Sequence, residues 1–133
     1  MIESVMIQTI LGWIYKILNL AQQVRVLVHR AYLSSGTDCY FINVTNRSPS
    51  RDAEVTHVWF ACNPDIHVLN HQRPLPRRLR PEESWETWIE VNKFPDTIRE
   101  NAFTFARVRL SNGRVINSKR NTNVPGEGYI PGG

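Results

Sequence analysis

Arginine and tryptophan side chains are the main candidates for a binding surface in this chain. Four arginines fall within eight residues of a proline-rich segment, namely Arg73, Arg77, Arg78 and Arg80. Two more, Arg107 and Arg109, alternate along a predicted strand, on the face that also holds Phe103 and Phe105. Guanidinium groups beside exposed rings can bind phosphates, stack on bases or anchor a protein interface. The alternative is that the rings lie in the core and the arginines pair with Glu86 and Glu90.

Trp88 is the tryptophan that the strand pattern directs outward. Trp85 and Trp88 lie three residues apart on one predicted strand, so they point to opposite faces of its sheet. Trp88 shares its face with Glu86 and Glu90, whereas the face of Trp85 is apolar. An outward tryptophan near arginines is typical of an interaction surface rather than a catalytic site.

Motifs for catalysis or for cofactor binding are not found in the sequence. No nucleophile elbow, glycine-rich phosphate loop or zinc-protease motif occurs. The four histidines form no ligand pair with a second coordinating residue, so we expect no metal site. His57 shares a predicted face with Val55 and Trp59 and is expected to be a core or sheet-surface imidazole. We therefore predict a protein that is not an enzyme and that carries no cofactor.

The two cysteines, Cys39 and Cys62, are too few for a disulfide framework. If the second and third strands pair, positions that sum to 101 face each other and Cys39 lies opposite Cys62. If the two strands lie in opposite sheets instead, their ends still come near one another. A disulfide is one outcome, and two small buried apolar side chains are the favoured one. The N-terminus lacks a convincing secretion signal, so the expected compartment is the reducing cytoplasm.

Composition indicates one ordinary globular domain. The chain has 133 residues, 41% of them apolar, and a net charge of +4. These values exclude a wholly disordered protein and a multi-span membrane protein. The positive charge is low for a nucleic-acid-binding module, which usually is strongly basic.

Residues 4–23 have the periodicity of an amphipathic helix. An apolar arc that includes Ile10, Trp13, Ile14 and Ile17 lies opposite a polar stripe through Gln8 and Lys16. The apolar stretch is shorter than the hydrocarbon core of a bilayer. The helix therefore docks on the rest of the chain, pairs with another helix in an oligomer or partner, or lies at a membrane. Basic residues on its C-terminal side favour the cytoplasmic side in the membrane case.

Residues 24–120 have the alternating pattern of short strands separated by turns. Strands are predicted over residues 24–33, 39–46, 54–62, 66–69, 84–91, 102–111 and 114–119. The proline-rich segment 73–81 is predicted as an edge or a connection. Asn112 and Gly113 predict a two-residue hairpin turn, which places Ile116 and Ser118 opposite Arg109 and Arg107. This pattern predicts an all-β, antiparallel immunoglobulin-like sandwich of about seven strands.

Three sequence stretches resemble bacterial immunoglobulin-like sandwich domains. They are a strand over residues 39–46, a strand that ends at residues 56–60, and a proline-acidic-serine turn at residues 79–85. The chain as a whole resembles small uncharacterised bacterial proteins with a helix followed by a sandwich. The resemblance implies a fold and no activity, and the Cys–Trp–Cys pattern of true immunoglobulin domains is missing.

The predicted organisation is a helix over residues 1–23, a sandwich over residues 24–120 and a Gly/Pro tail over residues 121–133. The predicted function is a protein-interaction or assembly module, an accessory subunit that binds a co-expressed partner or a second copy through the helix. One alternative is a cytoplasmic sandwich that the helix attaches to a membrane. The other is nucleic-acid or nucleotide binding through the arginine and aromatic side chains.

Overall fold

The computed structural model describes residues 9–13 and 24–120. Residues 9–13 are helical, as predicted, while the rest of the predicted helix and the segment 121–133 lie outside the described residues. Strands make up 47% of the structure and form two sheets, with few helices. The prediction of an all-β chain is therefore confirmed at the level of fold class.

The first sheet has four strands. They are β1 (Val24–Tyr32), β2 (Asp38–Asn46), β6 (Ser84–Glu90) and β9 (Lys119–Arg120), in the spatial order β6-β2-β1-β9. Strand β2 is antiparallel to both of its neighbours, and β9 runs parallel to β1. Strand β6 therefore lies at one edge of this sheet.

The second sheet has five strands. They are β3 (Ala53–Phe60), β4 (Ile66–His67), β5 (Arg77–Leu79), β7 (Ala106–Leu110) and β8 (Val115–Asn117). The order is β4-β3-β7-β8, and β5 also pairs with β3. Three short helical turns, Val91–Lys93, Asp96–Arg99 and Ala102–Thr104, connect β6 to β7.

Most predicted strands are found within two residues of the predicted ends, but the strand predicted over residues 102–111 is wrong in its first half. Residues Ala102–Thr104 form a 3-10 turn, and the strand begins only at Ala106. The turn buries Ala102 and places the ring of Phe103 edge-on to Tyr40. Phe103 and Phe105 therefore do not share a strand face with Arg107 and Arg109. Contacts with the core favour the turn, and the local alternation of apolar and polar residues does not reveal such contacts.

The hairpin between β7 and β8 differs from the prediction by one residue. Gly113 has φ +86°, and the Gly113 N–H donates to the Leu110 carbonyl at 2.9 Å. The Leu110 N–H donates to the Arg114 carbonyl at 2.9 Å, so the loop has three residues. Three-residue loops place a single residue in the left-handed region, whereas the predicted two-residue turn needs two. The partners of Arg107 and Arg109 are accordingly Asn117 and Val115.

One core lies between the two sheets. The first sheet contributes Val26, Val28, Tyr40, Ile42 and Val44, and the second contributes Val55, Val58, Phe60, Val108 and Leu110. The ring of Phe94 meets the rings of Tyr40 and Phe60 edge-on, at centroid distances of 5.1 and 4.8 Å. The Tyr40 hydroxyl donates to the Arg99 carbonyl, so the buried ring keeps a polar partner.

Strands β2 and β3 belong to different sheets, which is one of the two arrangements that the sequence allows, so Cys39 does not lie opposite Cys62. Both cysteines are free thiols. Cys39 is buried, and Cys62 is half-buried with its thiol donating to the Pro64 carbonyl at 3.2 Å. Burial raises the pKa of the Cys39 thiol to about 11, with smaller contributions from Glu90 and Asp38. A thiol in this state is a weak nucleophile, which fits its role as a small apolar side chain.

Candidate functional site

The predicted site arginines are distributed over separate parts of the surface. Arg73 reaches the edge strand β6, Arg77 and Arg78 lie on β5, and Arg107 and Arg109 lie on β7. The structure brings together two pairs of the predicted site residues. Arg73 contacts Trp88, and Arg107 and Arg109 point to the same side of the five-stranded sheet. Each pair defines one candidate binding surface.

Arg73 lies across the side chain of Trp88. Its guanidinium carbon is 5.0 Å from the centroid of the Trp88 ring. Its Nε donates to the Glu86 carbonyl at 3.0 Å, and its Nη1 donates to the Gln72 carbonyl at 3.1 Å. Trp88 thus points away from the core, as predicted, while Trp85 is buried in the core. The cation–π contact and the two hydrogen bonds hold the guanidinium in one position over β6.

The free edge of β6 borders a groove. In an antiparallel strand, the N–H and C=O groups of one residue point to the same side. They point toward the neighbouring strand in one residue and away from it in the next. Because the Glu86 carbonyl accepts from Arg73, the backbone groups of Glu86 and Trp88 point away from β2. Two clefts of about 420 and 270 Å³ flank Arg73 along this edge. We call them the β6 groove, which is lined by Leu33, Leu69, Asn70, His71, Gln72, Arg73, Pro74, Pro76, Arg77, Ser84, Trp85, Glu86, Trp88, Ile89, Glu90 and Lys93.

A row of aromatic side chains supports the groove from the outer face of the four-stranded sheet. Trp88, Phe41 and His29 are direct cross-strand neighbours on β6, β2 and β1. The Phe41 centroid is 5.7 Å from Trp88 and 5.3 Å from His29, and the His29 ring is parallel to it within 7°. His29 is buried, its Nδ1 has no hydrogen-bond partner among the described residues, and burial lowers its pKa. The neutral imidazole therefore behaves as part of a rigid apolar row.

Glu86 is the acidic side chain of the β6 groove. Burial raises the pKa of the Glu86 carboxyl, and a hydrogen bond with Asn43 and the charge of Arg73 partly oppose this. A raised pKa in the folded state means that folding favours the protonated carboxyl. Its contribution to stability is present below the pKa of the unfolded chain and is lost as the pH rises through the folded-state pKa.

We expect Glu86→Gln to raise the free energy of unfolding at pH 7 and to leave it nearly unchanged at pH 4. The amide cannot ionise, yet it keeps a partner for Asn43. Urea unfolding followed by tryptophan fluorescence at the two pH values measures the difference. Glu82→Gln, on an exposed turn residue, is the matched control and should change neither value. A stability gain at pH 4 as large as the gain at pH 7 would contradict the prediction.

The remaining arginines of the proline-rich segment make surface contacts. Arg77 pairs with Glu83 at 3.2 Å and Arg78 pairs with Asp52 at 2.8 Å. The backbone N–H of Arg80 donates to the Glu83 carboxylate at 2.9 Å. The arginines therefore pair with these carboxylates rather than with Glu86 and Glu90, the partners that the sequence suggested. Exposed pairs of this kind contribute little stability, so only Arg77, which lines the β6 groove, stays near a candidate site.

The second surface is the outer face of the five-stranded sheet. His67, Trp59, Arg107 and Asn117 form one cross-strand row over β4, β3, β7 and β8, and His57, Arg109 and Val115 form the next. We call these seven residues the Arg–Trp face. A β-bulge between Val55 and His57 keeps Val55 in the core while it turns His57 outward beside Trp59. The sequence places His57 on one face with Trp59 and Val55; the prediction is correct for Trp59 and for a sheet-surface imidazole, and wrong for Val55.

The Arg–Trp face carries no acidic residue among its seven members. The guanidinium carbon of Arg109 is 5.7 Å from the centroid of Trp59. Arg107 is fixed by its Nη1, which donates to the carbonyls of Thr104 and Ala106 at 2.8 and 3.0 Å. Glu54 of β3, and Asp52 just before this strand, lie toward its other end, where both neighbour Arg78. The charged members of the face are therefore the cations Arg107 and Arg109.

The described part of the N-terminal helix is exposed. Ile10, Leu11 and Trp13 have 53%, 58% and 66% of their surface accessible. Ile14 and Ile17, the other predicted contact residues of the helix, lie outside the described residues. The part of the chain that the structure describes contains no helix with the length and apolar composition needed to cross a membrane.

Neither surface has the ligands of a metal centre, because the described residues contain no group of three or more His, Cys, Asp or Glu side chains that could hold an ion. What the two surfaces offer is backbone hydrogen-bonding groups at a strand edge, and planar and cationic side chains on a sheet face. Comparisons with protein-family models, with curated proteins and with solved structures found no match to this chain.

Proposed function

We propose that the chain is a non-enzymatic protein-interaction module, an accessory subunit that binds an extended segment of a partner protein along the β6 groove. The observation that carries the proposal is the Arg73–Glu86 hydrogen bond at a strand edge. It identifies which backbone groups of β6 point outward, and the clefts on both sides of Arg73 leave these groups within reach of another chain.

We further propose that the two sheets form an immunoglobulin-like sandwich. Strands β1, β2 and β6 lie in one sheet and β3, β7 and β8 in the other. This division supports the proposal, because immunoglobulin-like domains have strands A, B and E in one sheet and strands C, F and G in the other. The short strands β4 and β5, next to β3, then occupy the place of an edge strand. Sandwiches of this kind commonly bind partners through sheet edges and faces.

Strand addition is the binding mode that the β6 groove favours. A partner segment in extended conformation would accept from the N–H groups of Glu86 and Trp88, whose carbonyls point the same way. The opposite wall of the groove contains Pro74 and Pro76, which have no N–H to donate to the outward carbonyls of β6. Main-chain pairing gives such interfaces their affinity, so the groove accepts one extended strand.

Arg73 and Arg77 give the partner segment its chemistry. The hydrogen bonds of Arg73 go to two carbonyl oxygens through Nε and Nη1, so its Nη2 remains available to a carboxylate. Arg77 lines the same groove, with Glu83 as its surface partner. Guanidinium groups bind carboxylates in two-point contacts. We therefore propose a partner strand with at least one acidic side chain.

A photo-reactive residue at Gln72 tests the proposal in cells. Gln72 is exposed and lines both clefts, so a bound partner strand passes within reach of it. We expect one discrete cross-linked protein from this position, and none from the same residue placed at exposed Arg51. The identified protein, purified, should protect the amides of Glu86 and Trp88 from hydrogen exchange and should bind Arg73→Ala at least tenfold more weakly.

Two outcomes contradict this function. Equal cross-linking at Gln72 and Arg51 would show a nonselective surface. A partner that leaves the two amides unprotected would show that β6 receives no strand. If Arg73→Ala self-associates while its partner affinity is unchanged, Arg73 serves to block the edge of the sheet, which is how many proteins protect edge strands.

A further inference from the structure

The Arg–Trp face combines planar side chains with cations in two adjacent rows. Trp59 is half-buried, and the Arg109 guanidinium lies over its ring. Arg107 occupies the same row as Trp59, and Arg109 pairs with His57 in the next. Side chains on the same face of a strand are about 6.8 Å apart. The face therefore presents a stacking platform made of Trp59 and Arg109, with Arg107 beside it.

We propose that the Arg–Trp face binds single-stranded nucleic acid. This activity is separate from the protein partner of the β6 groove and uses the opposite sheet. A base stacks on the Trp59–Arg109 pair, and Arg107 and Arg109 contact the adjacent phosphates. Stacking on an aromatic ring, with arginine along the backbone, is how proteins hold single strands without reading their sequence.

The composition of the face favours nucleic acid over a protein ligand. The core of a protein–protein interface is depleted of charge and rich in large apolar and aromatic groups. The large apolar residues of this face are Trp59 and Val115, and Trp59 is covered by a guanidinium. Phosphates, by contrast, are the ligands that two arginines and no carboxylate would select.

The shape of the face favours a single strand over a duplex. Direct contact with duplex bases requires a helix or a ribbon that enters a groove. Here the residues belong to two adjacent rows across the strands β4, β3, β7 and β8, on the face of a sheet rather than on a helix or a projecting ribbon. In a single strand the bases are free to turn onto such a platform.

Fluorescence anisotropy with the full chain and labelled oligomers of thymidylate or uridylate, about twelve nucleotides long, tests the proposal; this length is within the usual range for single-strand sites. We expect Trp59→Ala to weaken binding by about 5- to 150-fold, the effect of losing one stacked base. Arg109→Ala should reduce the slope of log affinity against log salt by about 0.7, the contribution of one phosphate contact on a single strand.

Matched controls separate a local contact from net charge. Arg25 is exposed on the outer face of the other sheet, and Arg25→Ala removes the same charge without touching the Arg–Trp face. It should leave both affinity and salt slope unchanged. Thermal unfolding shows that each variant is folded, and Arg109 is suited to this test because its side chain is exposed. The uridylate and thymidylate arms report whether the ligand is RNA or DNA.

Several results would overturn the proposal. The proposal is wrong if the full chain binds neither the thymidylate nor the uridylate oligomer at low salt. Equal salt slopes for Arg109→Ala and Arg25→Ala would show that only net charge matters. Polyglutamate binding that is as tight as oligomer binding, and equally sensitive to Trp59→Ala, would identify an acidic protein as the ligand. Loss of oligomer binding here would leave cross-linking at Gln72 intact, so the two proposals fail independently.

Discussion

Replacing Asn46 by aspartate is expected to destabilise the fold by about 3 kcal/mol or more at pH 7. Asn46 is 1% exposed, and its Nδ2 donates to the carbonyls of Arg51, Leu79 and Arg80 at 2.8, 3.2 and 3.0 Å. Its Oδ1 accepts the Ser48 N–H at 3.1 Å. Aspartate keeps the acceptor but loses every donor, and it places a buried negative charge against carbonyl oxygens.

Asn46 is sensitive because its side chain ties together segments that are distant in sequence. It joins the end of β2 to the loop before β3 and to the end of β5, which positions the proline-rich wall of the β6 groove. Urea unfolding at pH 7 measures the loss. The control Asn92→Asp makes the same chemical change at an exposed position and should cost less than about 0.5 kcal/mol. Equal stability of the two variants would disprove this role of Asn46.

Deletion of residues 1–22 is expected to abolish the association that depends on the helix, with a second copy, a partner or lipid, while it leaves the sandwich folded. All described residues of the main buried cluster lie between Val24 and Leu110, so both sheets keep their common core. The deletion removes Ile10, Leu11 and Trp13, whose exposed apolar surface favours contact with a second copy, a partner or lipid. Each of these side chains contributes roughly 1.5–3 kcal/mol when it becomes buried.

Sedimentation and thermal unfolding of the full and shortened chains measure this effect. The double variant Ile10→Gln/Trp13→Gln in the full chain is the matched control and should lose association to a similar extent. If the shortened chain keeps the mass, partner binding and membrane recovery of the full chain, the helix has no role in association. If the shortened chain unfolds, the helix belongs to the core of the domain.

The strand pattern and the outward position of Trp88 could be predicted from sequence, because both follow from local alternation. Along β6, Trp85 and Thr87 are buried, whereas Glu86 and Trp88 are half-exposed, which is the period of two expected of a strand. The same alternation failed at Phe103 and Phe105, where contacts with Tyr40 favour a helical turn. It also failed at the hairpin, since the number of positive φ residues, not the Asn-Gly pair alone, decides the register.

The grouping of the arginines could not be predicted. Arg107 and Arg109 are expected beside Phe105 from the chain alone, but they meet Trp59 and His57 because β3 pairs with β7 across about fifty residues. Arg73 reaches Trp88 because the connection after β4 crosses from one sheet to the edge of the other. Arg77 and Arg78 pair with Glu83 and Asp52, rather than with Glu86 and Glu90, because the fold brings these carboxylates beside β5.

The all-β class, most strand positions and the apolar side of each strand could be predicted from the sequence. These properties depend on side-chain alternation and on turn residues, whose energies are local. The placement of β2 and β3 in different sheets, the bulge that turns His57 outward, and the side chains that lie next to Arg73, Arg107 and Arg109 depend on tertiary contacts. Strand pairing depends on the burial of the whole core and on the closure of long loops. These free-energy terms arise between residues far apart in the chain, so a short sequence window does not reveal them.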